Sequence, residues 1–260
     1  MEKSRRDVLK VGLTGVAAGI AGCLGLQSEL VPETASRDAG DREFQSGDPD
    51  TGEFSSDTFE RAEATARDAR AGVVTVRGEN GSGGTGWVID ADRGHVVTNS
   101  HVVAESTSVS VETFAGASGR ATRIGYHESL VPDVALLETN ADGLEELPVG
   151  DESALEPGDP LVTVGHPGNA GNWIMSIGRH DSYEPGIDWL LSTVPTSRGN
   201  SGGPLMTVDG EVVGIVSGST RESRDDYSKS DELYTELPST PSLTTSVPAT
   251  TMVESLDEWD

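Results

Sequence analysis

Short runs of β-branched and aliphatic residues, separated by clusters of Gly, Asn, Asp and Ser, constrain the fold of this chain more than any other feature. Such runs predict short strands bounded by turns. We expect six strands on each side of the turn-rich segment 150–160: first 72–76, 87–90, 95–98, 109–113, 121–126 and 134–138, then 161–164, 173–177, 189–193, 204–207, 211–217 and 243–247. Helical composition is confined to 59–70 and 249–258. The pattern favours β-barrels or sandwiches over an alternating strand–helix fold.

A glycine-rich run, GNSGGPL at residues 199–205, has the composition needed to present a serine nucleophile. A serine alcohol attacks a carbonyl only when a base removes its proton and hydrogen-bond donors stabilise the oxyanion. Glycine permits the turn that directs successive backbone amides into one concavity. Ser201 is therefore the candidate nucleophile, and the amides of Gly199 and Ser201 are the candidate oxyanion donors. The alternative is a glycine-rich turn between strands with an incidental serine.

Two further segments supply a base and a carboxylate. His101 follows an apolar strand and a small polar corner, and Asp133 opens the apolar run VALLE. The other histidines, His95, His127, His166 and His180, compete for the role of base, and Asp133 alone is also compatible with a turn carboxylate. The order His, Asp, Ser along the chain is the order of chymotrypsin and differs from those of subtilisin and the α/β-hydrolases.

These motifs and the segments around them resemble the trypsin-like serine proteases of the HtrA/Deg kind. The resemblance runs from about residue 59 to 256 and includes SGGTGWVID, GHVVTNSHVV, PDVALLE, LPVGDESALEPGDPLVTVGHPG, SRGNSGGPL and GEVVGIVSG. It implies an all-β, chymotrypsin-like fold of two six-stranded antiparallel β-barrels with short terminal helices. It also implies a catalytic triad of His101, Asp133 and Ser201 in the cleft between the barrels, acting through an acyl-enzyme.

The resemblance further implies that the strand containing Ile215, Val216, Ser217 and Gly218 adds its backbone to an extended peptide substrate. Ser217 resembles a serine that many such enzymes place beside the triad aspartate, although it is also compatible with a small strand residue. The segments expected at the specificity pocket, 195–197 and 217–219, contain no acidic residue, which favours small or apolar side chains over Lys and Arg.

Two functions are compatible with these residues. The first is a serine endopeptidase that cleaves unfolded or damaged extracytoplasmic proteins. The second is a peptide-binding or chaperone-like module on the same fold whose cleft does not catalyse. Covalent chemistry at Ser201 distinguishes the two, because a binding module does not form an acyl-enzyme.

The N-terminal segment predicts export and a membrane anchor. The run SRRDVLK at residues 4–10 precedes a glycine- and alanine-rich apolar segment, which is typical of a twin-arginine signal. The apolar segment is shorter than the roughly 20 residues that a membrane span needs. It ends in IAGC, which resembles a lipoprotein lipobox with Cys23 as the lipid-bearing residue; the alternative is an unmodified thiol. We expect an extracellular protein anchored to the cell membrane by lipid.

These observations give a three-part organisation. We expect a signal in 1–23, a disordered acidic tether in 24–57 and a protease domain in 58–260, with barrel one at about 71–140 and barrel two at about 155–250. Only about 40 residues follow Ser217, so we expect no peptide-binding PDZ domain of the kind that many HtrA relatives carry. The acidic stretch 221–240 is compatible with a solvated insertion or a lid over the cleft. The oligomeric state is left open.

Composition indicates the environment and excludes some partners. The chain has 44 acidic and 18 basic residues and a formal net charge of −26. Molar salt, with a Debye length of about 3 Å, screens such self-repulsion, and acidic, lysine-poor chains resemble secreted proteins of halophilic archaea. Nucleic acid is excluded as a partner because its phosphates require a basic patch. The sequence contains no zinc-ligand cluster, and we expect no metal and no cofactor.

Overall fold

The computed structural model describes residues 44–46, 54–106, 108–168, 171–220 and 243–259. The predicted signal, Cys23 and the acidic stretch 221–240 lie outside these residues. Within the predicted tether, Phe44–Ser46 forms a short strand, β1, which pairs in parallel with a strand of the second barrel. This strand differs from the disorder that we expected for residues 24–57.

The first barrel is closed and antiparallel. Its strands are β2 (Val73–Gly78), β3 (Gly83–Asp90), β4 (His95–Thr98), β5 (Val109–Thr113), β6 (Ser118–Tyr126) and β7 (Ala135–Thr139). They follow the order β2-β3-β4-β7-β6-β5, and the barrel closes because β5 also pairs with β2. Along β5 the residues alternate between buried and more exposed positions, as expected for a strand with one face in a core. Val74, Val88 and Leu137 belong to the cluster that fills this barrel.

The second barrel has the same number of strands. They are β8 (Pro160–Gly165), β9 (Ile174–Glu184), β10 (Trp189–Ser192), β11 (Pro204–Thr207), β12 (Val212–Ser219) and β13 (Thr244–Pro248). Their order is β9-β10-β13-β12-β11-β8, and the pairing of β8 with β9 closes the barrel. The strand β1 is an additional parallel neighbour of β9. The expected fold of two six-stranded antiparallel barrels is therefore confirmed.

Helices are short and few within the described residues. They are α1 (Ser56–Ala69), α2 (Ser100–Val103) and α3 (Ala249–Asp257). Helix α1 begins three residues before the predicted start because the Ser55 hydroxyl caps it by accepting the Thr58 N–H at 3.1 Å. None of the described helices is long and apolar enough to cross a membrane.

One buried apolar cluster joins the two barrels and helices α1 and α3. Val73 and Trp87 of the first barrel belong to it together with Met175 and Ile215 of the second, and Ala62 lies on the buried face of α1. Burial of apolar surface contributes about 25 cal/mol per Å². The cluster therefore fixes the two barrels against each other, and residues from both barrels can meet with fixed geometry in the cleft between them.

Candidate active site

His101 lies on α2, a single helical turn that follows β4 directly. The corner before it is tied to the start of the β7 segment by two fully buried side chains. Asn99 Nδ2 donates to the carbonyl of Asp133 at 2.7 Å, and Ser100 Oγ donates to the carbonyl of Val134 at 2.5 Å. These bonds bring His101 next to Asp133, although 32 positions separate the two in sequence.

The Asp133 carboxylate accepts three hydrogen bonds. Oδ1 accepts the backbone N–H of His101 at 3.1 Å, and Oδ2 lies 2.7 Å from His101 Nδ1. Oδ2 also accepts a short hydrogen bond from the hydroxyl of Ser217. The Asp133 side chain is only 6% exposed, whereas the His101 side chain is 39% exposed. Because an ionised carboxylate only accepts, His101 Nδ1 carries a proton, and Nε2 is left as the basic nitrogen of a partly exposed side chain.

The position of Ser217 separates the two interpretations of that residue. Ser217 is a buried residue, and its hydroxyl points at the Asp133 carboxylate. The structure thus gives Ser217 a contact with Asp133, as the resemblance implied.

Ser201 follows Gly199 in the turn between β10 and β11. Its hydroxyl donates to the backbone carbonyl of Ser217 at 3.3 Å. Among the described residues, no hydrogen bond joins Ser201 Oγ to His101 Nε2. Hydrogen bonds of this type are often loose in a substrate-free site and tighten when substrate binds. The three expected triad residues are therefore gathered in one place, with the nucleophile turned toward Ser217.

The N–H groups of Gly199 and Ser201 point away from the carbonyls of their own peptide units, and each of these carbonyls is held by a hydrogen bond. The Arg198 carbonyl accepts the N–H of Gly168 at 3.0 Å, and the Asn200 carbonyl accepts the N–H of Gly203 at 2.9 Å. In a trans peptide the N–H points opposite to the C=O, so both neighbouring N–H groups face the other way. Neither N–H donates to another residue in the described part of the chain. The arrangement leaves two backbone donors for an oxyanion.

Gly199 has a backbone conformation that the turn requires. Its φ of +103° lies in the left-handed region, and a Cβ built there would lie 2.0 Å from the carbonyl oxygen of His166. Only glycine adopts this conformation at little cost and leaves room for that oxygen. The need for glycine at position 199, which the motif predicted, thus follows from the position of the His166 carbonyl.

The other four histidines all lie in the described part of the chain, and no hydrogen bond there joins any of them to Asp133 or Ser201. His166 is buried, and its Nδ1 accepts the backbone N–H of Trp173 at 3.1 Å. Burial lowers the pKa of His166 to about 3, so its imidazole is neutral at ordinary pH. Burial also lowers the pKa of His180, and His127 Nε2 lies 3.1 Å from Ser255 Oγ. His95 is buried within β4.

The predicted substrate strand needs a correction at Ile215 and Val216. Ile215 is fully buried and pairs with both Pro204 and Val247. The Val216 N–H donates to Gly203 at 2.9 Å, and its carbonyl accepts from Gly202 at 2.7 Å. These backbone groups are already used within the barrel and cannot pair with a peptide. Ser217 and Gly218 lie beyond the last residue of β12 that pairs with β11. That these two residues bind an extended substrate stays a prediction.

Sequence reasoning missed three side chains that support the site. Asn99 and Ser100 lock the His101 corner, and Thr85 of β3 bonds to the carbonyls of Gly199 and Ser201. Each is a fully buried polar residue beside apolar strand residues. A buried polar side chain needs a hydrogen-bond partner, so a polar residue among apolar strand residues indicates that such a bond forms. The sequence does not reveal which residue is the partner.

Within the described residues, no group of three or more His, Cys, Asp or Glu side chains could hold a metal ion.

The chain is similar to known peptidases. The family model described as "Trypsin-like peptidase domain" matches residues 84–215. The periplasmic serine endoprotease DegP of Escherichia coli is 34% identical over 157 residues, which is 54% of this chain and 32% of that protein. The periplasmic pH-dependent serine endoprotease DegQ of Escherichia coli is 32% identical over 139 residues, which is 51% of this chain and 30% of that protein.

The chain thus matches about a third of the length of these curated relatives. Among solved structures, the serine endoprotease from Yersinia pestis superimposes with a TM-score of 0.62 at 21% identity. The superposition covers 80% of this chain and 67% of that chain, and it supports the fold.

Proposed function

The chain belongs to the trypsin-like peptidase family, and from this premise we propose that it is a serine endopeptidase that hydrolyses peptide bonds through an acyl-enzyme. The observation that carries the proposal is the 2.7 Å contact between His101 Nδ1 and Asp133 Oδ2. This contact sets the tautomer in which Nε2 is a base, beside a serine in the family's motif. The free amides of Gly199 and Ser201 support catalysis rather than peptide binding alone.

The proposed reaction begins with proton transfer from Ser201 Oγ to His101 Nε2. Oγ bonds to the carbonyl carbon of the substrate, and the carbonyl oxygen becomes an oxyanion that accepts the N–H groups of Gly199 and Ser201. Asp133 stabilises the imidazolium that forms. His101 then gives its proton to the leaving amine as the C–N bond breaks, and a water molecule hydrolyses the remaining ester by the same route.

This sequence requires one movement of the nucleophile. In the structure Ser201 Oγ donates to Ser217 O at 3.3 Å. Rotation about the Cα–Cβ bond of Ser201 redirects Oγ toward His101, and such rotamer changes are fast compared with turnover. The resting contact is weak because it is long for an O–H···O bond.

We propose that the substrates are unfolded or damaged proteins bound as extended chains. The relatives named periplasmic serine endoproteases support a polypeptide substrate. Val131 is 68% exposed and Ile187 is 62% exposed, and both line a small cavity that also contains Asp133. Exposed apolar side chains next to the triad match the apolar side chains that unfolding exposes.

We also propose export by the twin-arginine route, lipid attachment at Cys23 and adaptation to high salt. The arginine pair Arg5 and Arg6, the IAGC run and the net charge of −26 support these three statements. One lipid chain gives only marginal anchoring, so a diacyl modification is expected. In cells, Cys23→Ser is expected to move the protein from the membrane fraction to the soluble fraction. Retention of this variant on membranes would exclude Cys23 as the anchor.

A fluorophosphonate probe tests the proposed endopeptidase. The protein without its signal segment is treated with the probe in molar salt, and the adduct is mapped by mass spectrometry. We expect one adduct, on Ser201, and cleavage of unfolded casein under the same conditions; Ser201→Ala is the control and should show neither. A folded wild-type protein that is neither labelled nor active would refute the proposal and favour a binding module.

A further inference from the structure

Thr85 of β3 lies at the junction of three segments that build the site. It is fully buried. Its backbone N–H donates to the Ser201 carbonyl at 2.8 Å, and its hydroxyl donates to the Gly199 carbonyl at 2.7 Å. The same hydroxyl accepts the backbone N–H of His166 at 3.1 Å, and the Thr85 carbonyl accepts the hydroxyl of Thr98 at 2.7 Å. One residue of the first barrel thus contacts the nucleophile turn, the β8–β9 loop and the end of β4.

These contacts complete a set that fixes four successive peptide units. The Arg198 and Asn200 carbonyls are held by Gly168 and Gly203, as described above. The other two peptide units, 199–200 and 201–202, contain the carbonyls of Gly199 and Ser201. Thr85 donates a hydrogen bond to each of these carbonyls. Every peptide unit from 198–199 to 201–202 therefore has its plane set by a hydrogen bond. Two of the four bonds come from Thr85.

The hydroxyl bond matters most because of the glycine that it holds. Gly199 lacks a Cβ, so the freedom that permits its φ of +103° also permits the adjacent peptide units to rotate. The Gly199 carbonyl belongs to the 199–200 peptide unit, which lies between the two units that carry the oxyanion donors, 198–199 and 200–201. A rotation of this middle unit would change the orientation of the two donors relative to each other. The Thr85 hydroxyl opposes this rotation by holding the Gly199 carbonyl, and it is itself held by the His166 N–H.

We propose that Thr85 is a positioning residue that holds the oxyanion hole of this enzyme in its open, donor-presenting form through its side-chain hydroxyl. The inference rests on the proposed endopeptidase function. It assigns Thr85 no contact with substrate. Its effect is on the orientation of the Gly199 and Ser201 amides relative to each other and hence on the transition state, in which the oxyanion exists, rather than on substrate binding.

Thr85→Val tests the proposal because it removes the hydroxyl with little change in shape and keeps the backbone bond to Ser201. We expect kcat on a peptide substrate to fall by roughly tenfold to a hundredfold, below the approximately 10²–10³-fold cost of losing an oxyanion donor outright. KM is expected to stay within about twofold. Thr85→Ser restores the hydroxyl and is expected to restore kcat to within about threefold of wild type.

Thr75→Val is the matched control. Thr75 lies directly across from Thr85 on β2, is buried, and its hydroxyl has no hydrogen-bond partner among the described residues. The same chemical change at the neighbouring position is therefore expected to leave kcat unaltered. A fall in kcat for both variants would indicate a general effect of the barrel and overturn the assignment, and so would an unchanged kcat in Thr85→Val.

Amide hydrogen exchange separates this inference from the proposed function. Exchange across residues 197–203 is expected to accelerate in Thr85→Val and not in Thr75→Val, whether or not the protein hydrolyses peptides. A wild-type protein that is inactive but shows this exchange pattern refutes the endopeptidase and retains the positioning role of Thr85. Equal exchange in both variants refutes that role. If Thr85→Val does not fold, Thr85→Cys takes its place, since a thiol is only a weak donor and predicts a partial loss of kcat.

Discussion

Asp133→Asn is expected to lower kcat about 10⁴-fold at neutral pH while the protein remains folded. The reason lies in the two bonds to His101. Asp133 Oδ1 accepts the His101 backbone N–H, and Oδ2 accepts the Nδ1–H. Asparagine has one acceptor oxygen, and when that oxygen serves the backbone N–H, its NH₂ group faces Nδ1. The imidazole then carries its proton on Nε2 and cannot accept the proton of Ser201.

The measurement is kcat and KM on a peptide substrate, together with thermal unfolding. KM is expected to change little because the Asp133 side chain is only 6% exposed and acts through His101. Asp151→Asn provides the control. Asp151 is exposed, and hydrogen bonds from the side chain and the backbone N–H of Ser153 hold its pKa below the usual value. Asp151→Asn is therefore expected to affect only local stability. A kcat for Asp133→Asn within tenfold of wild type would remove Asp133 from the triad.

The strands were predictable from sequence because they carry a local signal. Alternating apolar residues and glycine-rich turns occur within each segment, and every strand of the two barrels overlaps its expected range. The largest differences are in β9, which ends at Glu184 instead of residue 177, and in β3, which begins at Gly83 instead of residue 87. β1 was not predictable in this way. Its three residues lie in an acidic, weakly apolar segment, and they form a strand by pairing with β9.

The candidate triad was predictable for a different reason. His101, Asp133 and Ser201 each occur in a motif with characteristic neighbours, and their order matched one protease fold. The supporting contacts had no such signal. Whether Thr85 reaches Gly199 depends on how the two barrels pack, because 114 positions separate the residues in sequence. Hydrogen bonds over such distances follow from tertiary structure and not from local pattern.

The extent of the substrate strand was missed because it depends on register. The sequence 215–218 reads as one continuous strand, but the pairing with β13 shifts between Val216 and Gly218. The pairing with β11 includes Ile215, after which the nucleophile turn takes over the contacts of Val216. A change of neighbours within one strand leaves no mark on its alternation of side chains.

Gly199→Ala is expected to reduce kcat at least about 10²-fold, the cost of losing an oxyanion donor. The new Cβ would lie 2.0 Å from the His166 carbonyl oxygen, so the turn has to move. The His166 segment cannot yield easily, because its N–H is bonded to the buried Thr85 hydroxyl and its ring accepts the Trp173 N–H. The nucleophile turn therefore moves instead, and the Gly199 amide is redirected.

Gly81→Ala separates this steric effect from backbone strain. Gly81 also has a positive φ, +85°, but a Cβ there meets nothing within 4 Å. Both variants pay the left-handed conformational cost of about 1–2 kcal/mol, which thermal unfolding measures. Only Gly199→Ala is expected to lose activity and fluorophosphonate labelling. If its kcat stayed within threefold of wild type, the Gly199 amide would not be an oxyanion donor, and the hydrogen bond from Thr85 to the Gly199 carbonyl would have no catalytic consequence.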